Sequence, residues 1–100
     1  MPPIHQFKIT SGTLESDLVV AIGRTQVLTI AVSNDNLTQA VFVGVEDKDG
    51  NTLFKIVVPA ADSRSVTFAE PTDFVSGLTI CGLSSNGNLV RVVVSHSRNL

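Results

Sequence analysis

The chain has 100 residues with seven Lys and Arg, nine Asp and Glu, five Phe, one Cys, and neither Trp nor Tyr. That length allows a single domain with a thin core. A formal net charge of −2 offers no broad positive field to a phosphate backbone, so nucleic acid is not an expected partner. Charged residues make up 16% of the chain and apolar ones 43%, against roughly 25% charged in an ordinary soluble domain. No apolar run approaches the roughly 20 residues that span a bilayer, and Met1-Pro2-Pro3-Ile4 opens no basic-then-apolar leader. Synthesis in the cytoplasm without a signal peptide, and no membrane partner, are expected.

The first four residues read as an extended arm, because Pro2 and Pro3 cannot donate to a sheet ladder, and residues 5–100 read as one domain. Val, Ile and Thr dominate this domain, with turn residues at short intervals and no sustained helical period. The predicted strands are His5–Thr10, Leu18–Gly23, Gln26–Ser33, Ala40–Glu46, Thr52–Val58, Arg64–Ala69, Gly77–Leu83 and Leu89–Ser95. Eight short strands predict an all-β protein, an antiparallel two-sheet sandwich of immunoglobulin-like or jelly-roll-like kind.

Asp49-Gly50 and Asn86-Gly87 place residues tolerant of positive φ between apolar runs, predicting two hairpins. The acids around Gly50 lack the alternating ligands and flanking helices of a calcium loop, so the turn reading is preferred. Pro71 is expected in a connection after the strand that ends at Ala69.

Side chains alternate between the two faces of a strand. In Ala40–Glu46 the rows are Ala40, Phe42, Gly44, Glu46 and Val41, Val43, Val45, both largely apolar. A two-layer sandwich buries only the inner face of each sheet, and each Val or Leu left in water forfeits ~1.5–3 kcal/mol. Part of an outer face is therefore expected to be covered by another subunit, with Val41, Val43 and Val45 as candidate contacts. Pro2, Pro3 and Ile4 of the arm are further candidates, as is Phe74, placed in a loop where it either plugs the sandwich end or meets a partner. The other Phe residues read as core.

No nucleophile elbow, phosphate loop or paired Cys is present, so neither catalysis nor a cofactor is expected. Cys81 lies in an apolar setting and reads as an inert packing residue. His5 and His96 read as exposed strand-end residues rather than metal ligands. Without Trp or Tyr, sugar stacking and antibody-like recognition have no platform.

The stretch Arg64–Ile80, with Glu70-Pro71-Thr72-Asp73-Phe74 at its centre, is followed by Asn86-Gly87 and a Val-rich last strand. It resembles the small β-sandwich capsid decoration, or cement, proteins of tailed bacteriophages over roughly the last forty residues. The resemblance implies a non-enzymatic virion protein on the capsid surface, typically a homotrimer clamping neighbouring major capsid protein subunits. Two rivals are kept: an immunoglobulin-like adhesion or fibre module recognising a host ligand, and a small enzyme or ligand carrier with a polar pocket.

Overall fold

The computed structural model describes residues 7–83 and 89–97. Eight strands run in order: β1 (Phe7–Thr13), β2 (Leu18–Ala21), β3 (Thr25–Asn34), β4 (Val41–Glu46), β5 (Thr52–Val58), β6 (Ser63–Phe74), β7 (Leu78–Gly82) and β8 (Val90–Ser97). They form two four-stranded sheets, ordered β1-β8-β3-β6 and β2-β7-β4-β5. The all-β sandwich expected from the sequence is present.

The order distinguishes the two kinds of sandwich. First pairs with last, second with seventh, third with sixth and fourth with fifth, all antiparallel. The pairings β3–β8 and β4–β7 join these ribbons into sheets. A long hairpin rolled on itself in this way is a jelly roll. The immunoglobulin-like alternative is excluded, since its sheets do not interleave first and last strands in this order.

The core lies between the sheets. Val27, Ile30 and Val32 of β3 and Val92 and Val94 of β8 face Val41, Val43, Val45, Ile56, Val58, Leu78 and Ile80, all buried. Strict alternation would put Val27 and Ile30 on opposite faces. A bulge between Val27 and Thr29, seen against both β6 and β8, resets the alternation and turns both inward.

The hairpin at Asp49-Gly50 joins β4 to β5. Gly50 adopts φ 84°, open to glycine at no steric cost. Asp47 organises the turn, its Oδ1 accepting from the backbone N–H of Asp49 (2.9 Å) and Asn51 (3.0 Å). These bonds and the Asn51 amide hold the Asp47 carboxyl below its ordinary value.

Three expectations are corrected. Residues 86–87 lie outside the described residues, and the strands they link, β7 and β8, sit in different sheets, so no hairpin joins them. Pro71 is inside β6 rather than after it. β6 is an edge strand, and the register jumps from Thr67 to Thr72 there, so the missing N–H leaves no ladder bond unmade. Phe74 is accordingly the last residue of a strand, not a loop residue.

His96 is buried, against the expectation of an exposed histidine. It sits where β1, β8 and β3 meet. The Ser97 carbonyl can only accept, so His96 Nδ1 donates to it (2.8 Å), and Nε2 accepts from the Thr10 hydroxyl (2.7 Å). Burial, and secondarily Lys8 across the β1–β8 pair, lowers the imidazole below its ordinary value of 6.5, against an opposing contribution from the Ser97 carbonyl. An unfolded chain therefore takes up this proton more readily than the folded one. Stability is full above pH 6.5 and falls as pH descends through and below that value. Thermal unfolding followed by circular dichroism is expected to show a lower Tm at pH 5.5 than at 7.5, with the difference reduced in His96→Gln.

Candidate interaction surface

The outward rows of the two sheets differ in chemistry. On the β1-β8-β3-β6 sheet the register aligns Ser11, Val93, Ala31 and Ser65 in one row, and Ile9, Ser95, Thr29 and Thr67 in the next. Hydroxyls and small side chains are the majority in these rows, as on a solvated face, with Ile9 and Val93 as exposed apolar exceptions.

On the β2-β7-β4-β5 sheet, Phe42 lies opposite Val57, and the Leu83 N–H donates to the Phe42 carbonyl (2.8 Å). This row of large apolar side chains is 48%, 51% and 43% exposed at Phe42, Val57 and Leu83. The adjoining row is Lys55, Gly44 and Cys81, and beyond it Glu46, Thr79 and Val19. Leu53 and Val19 extend the exposed apolar surface. Covering what remains exposed would contribute roughly 1 kcal/mol for each large side chain.

Gly44 shapes this face. A Cβ there would lie 2.9 Å from Cys81 Sγ and 3.3 Å from Leu83 Cδ1. Its hydrogen therefore lets Leu83 lie against the sheet, where it covers the glycine. Cys81 is buried, as expected of a packing residue. Burial, then the neighbouring Glu46 carboxylate, pushes its thiol up to about 11, keeping it protonated at neutral pH.

A second feature lies at the end of the sandwich where β6 finishes. A cleft of about 440 Å³ opens beside β5 and β6, walled by Phe54, Phe68 and Phe74. The Phe68 and Phe74 rings meet edge to face, centroids 6.3 Å apart. Asp47 and Asp73 stand in its lining, the latter ion-paired with Arg24.

The contacts expected from the sequence are distributed unevenly over these features. Val41, Val43 and Val45 are in the core, and this corrects their assignment to a partner surface: all are at most 2% exposed, so the face that β4 offers outward carries Phe42. Phe42 thus departs from the expectation that it is core. Phe74 is buried and walls the end cleft, the plugging role left open for it. Pro2, Pro3 and Ile4 lie outside the described residues. Among the described residues no three His, Cys, Asp or Glu converge as metal ligands, and no helix is long and apolar enough to cross a membrane.

No family model and no curated protein matches this chain. Among solved structures it is similar to the tobacco streak virus coat protein dimer, with TM-score 0.45 and 8% identity over 100% of this chain and 91% of that chain. The same coat protein in a C2 crystal form gives 0.45 and 9%, over 98% and 88% of the two chains. A chain of the T13 particle of IBDV gives 0.29 and 11%, over 93% of this chain and 36% of that one. These structural neighbours are viral capsid proteins, and at these scores the likeness assigns no role to this chain.

Proposed function

We propose that this chain is a non-enzymatic structural protein of a virion, a capsid decoration protein that self-associates as a homotrimer and bridges major capsid protein subunits. The reading is carried by the contrast between the outer faces, one on which hydroxyls outnumber the exposed Ile9 and Val93 and the other presenting Phe42, Val57 and Leu83 as a continuous apolar row. A large apolar patch on one face of a small domain marks a surface kept for another protein. The eight-stranded jelly roll, an architecture used by viral capsid domains among others, is compatible with that work and by itself assigns none. Repetition by symmetry lets modest contacts of this kind add up through avidity.

Light scattering and sedimentation at high micromolar concentration test the reading. The native chain is expected to be oligomeric and to co-sediment with assembled capsids. Val57→Glu is expected to weaken self-association by at least about tenfold, a loss of ~1.4 kcal/mol or more, without changing the circular dichroism spectrum. A monomeric native chain that ignores capsids overturns it.

A further inference from the structure

The edge of a sheet is a row of unpaired backbone groups, and the edges β2, β5 and β6 each carry a feature that blocks continuation by another strand. β2 has only four residues and an irregular register between Val19 and Ala21. β6 is interrupted between Thr67 and Thr72, with Pro71 in the gap. In β5 the guard is a charge. The Leu83 N–H bond to the Phe42 carbonyl turns the backbone groups of Phe42 toward β7, so on β5 those of Leu53, Lys55 and Val57 point outward. Lys55 stands in the middle of that row, and a second β5 laid against it would set lysine opposite lysine.

β1 has no such guard. It pairs with β8 in unbroken register from Phe7 to Thr13. The Leu14 N–H donates to the Val90 carbonyl (3.1 Å), so Lys8, Thr10, Gly12 and Leu14 direct their backbone groups to β8. Those of Phe7, Ile9, Ser11 and Thr13 therefore point away from the sheet. None of these residues is charged or proline, and Ile9 is 70% exposed.

We infer that β1 pairs antiparallel with β1 of a second copy about a two-fold axis at Thr10, joining their sheets into one continuous sheet. This axis sets Phe7 opposite Thr13 and Ile9 opposite Ser11 of the second copy, and the reverse, so every outward group of the strand is matched. An axis at Ile9 or Ser11 leaves one end of the strand unmatched, and an axis at Lys8 opposes two ammonium groups. With the axis at Thr10, Lys8 faces Gly12, and the basic start of each strand runs toward the other's exit, where Glu15 and Asp17 follow. The two Ile9 side chains become diagonal neighbours on the outer face, within reach of each other. The strand is its own complement in length, charge and side-chain size, and this selects a second copy over a foreign strand. The contact lies on the opposite sheet from Phe42, Val57 and Leu83, goes beyond the proposed virion role, and stands or falls without it.

The test uses the full chain carrying Val57→Glu, which removes the apolar sheet contact. In sedimentation velocity at high micromolar concentration this chain is expected to be a dimer. Hydrogen exchange at the amides of Ile9, Ser11 and Thr13 is expected to slow at least about tenfold between low and high micromolar concentration, while Thr10 and Gly12, bonded to β8, stay protected throughout. Ser11→Pro removes an outward N–H without touching the β8 ladder, and Ile9→Lys and Ser11→Glu each place like charges at diagonal positions across the axis. In the same background each is expected to be monomeric with an unchanged circular dichroism spectrum. Ile9→Lys mixed with Ser11→Glu is expected to associate again, because residue 9 of one copy faces residue 11 of the other. A Val57→Glu chain that stays monomeric at millimolar concentration overturns the pairing, as does a dimer that leaves exchange at Ile9 and Ser11 unchanged or survives Ile9→Lys. A mixture that stays monomeric overturns the register. Loss of the apolar contact by Val57→Glu bears on the virion reading alone and leaves this result separate.

Discussion

Val43→Asp is expected to prevent folding, whereas Phe42→Asp, one residue earlier, is expected to leave a folded and more soluble protein. Val43 is fully buried between the sheets, opposite Ile56 of β5 and Gly82 of β7. A carboxylate there has no cation or donor to meet, and an unpaired buried charge costs several kcal/mol, a large share of the ~5–15 kcal/mol by which a domain is stable. Phe42 points the other way and is 48% exposed, so an aspartate at that position keeps its hydration. Urea unfolding monitored by circular dichroism separates the two outcomes. Sedimentation of Phe42→Asp then reports on the apolar face itself, where it is expected to impair self-association as Val57→Glu does. Equal destabilisation by the two substitutions would contradict the assignment of these rows.

The second large effect is expected at Asn34. This buried side chain ties three stretches of chain at the far end of the sandwich. Its Nδ2 donates to the carbonyls of Gln39 (2.9 Å), Val58 (3.3 Å) and Pro59 (3.1 Å), while its Oδ1 accepts from the Asn36 N–H (2.9 Å). Asn34→Ala removes all four contacts and leaves backbone groups unsatisfied, with a cost of about 3 kcal/mol. Asn34→Asp is expected to cost more, because its second oxygen faces carbonyls that can only accept. Chemical denaturation is expected to show a lower midpoint with an unchanged slope for both variants. A loss under about 0.5 kcal/mol, the level of an ordinary surface substitution, would mean that water replaces the amide.

Much of the sandwich is legible in the residues. Alternation in Arg64–Ala69 and β-branched runs elsewhere announce strands, and Asp49-Gly50 announces its turn because few residues tolerate the φ that Gly50 adopts. The inward face of β4 is harder to read, since Phe42 and Val43 belong to two apolar rows. A signal is present nonetheless: the Phe42 row also carries Gly44 and Glu46, and a core resists a carboxylate more than three valines. Asn86-Gly87 has the composition of a turn, but such short-range chemistry does not say whether the flanking strands pair with each other. The setting of His96 is likewise assembled from a distance, by Thr10 on β1 and Ser97 beside it, and strand adjacency is invisible to local pattern. The aromatic cleft gathers Phe54 from β5 with Phe68 and Phe74 from β6 for the same reason.

Pairing the first strand with the last also sets a clock on biogenesis. The hydrogen bond between Thr10 and His96 joins residues 86 positions apart, and a ribosome adding about 5–20 residues per second leaves β1 unmatched for several seconds at least. During that interval Ile9 and the unpaired backbone of β1 are open to other nascent chains on the same messenger. Topologies with contacts this remote also fold slowly once released. Yield in the cell should therefore respond to translation speed and chaperone supply more sharply than the equilibrium stability of the finished protein would suggest.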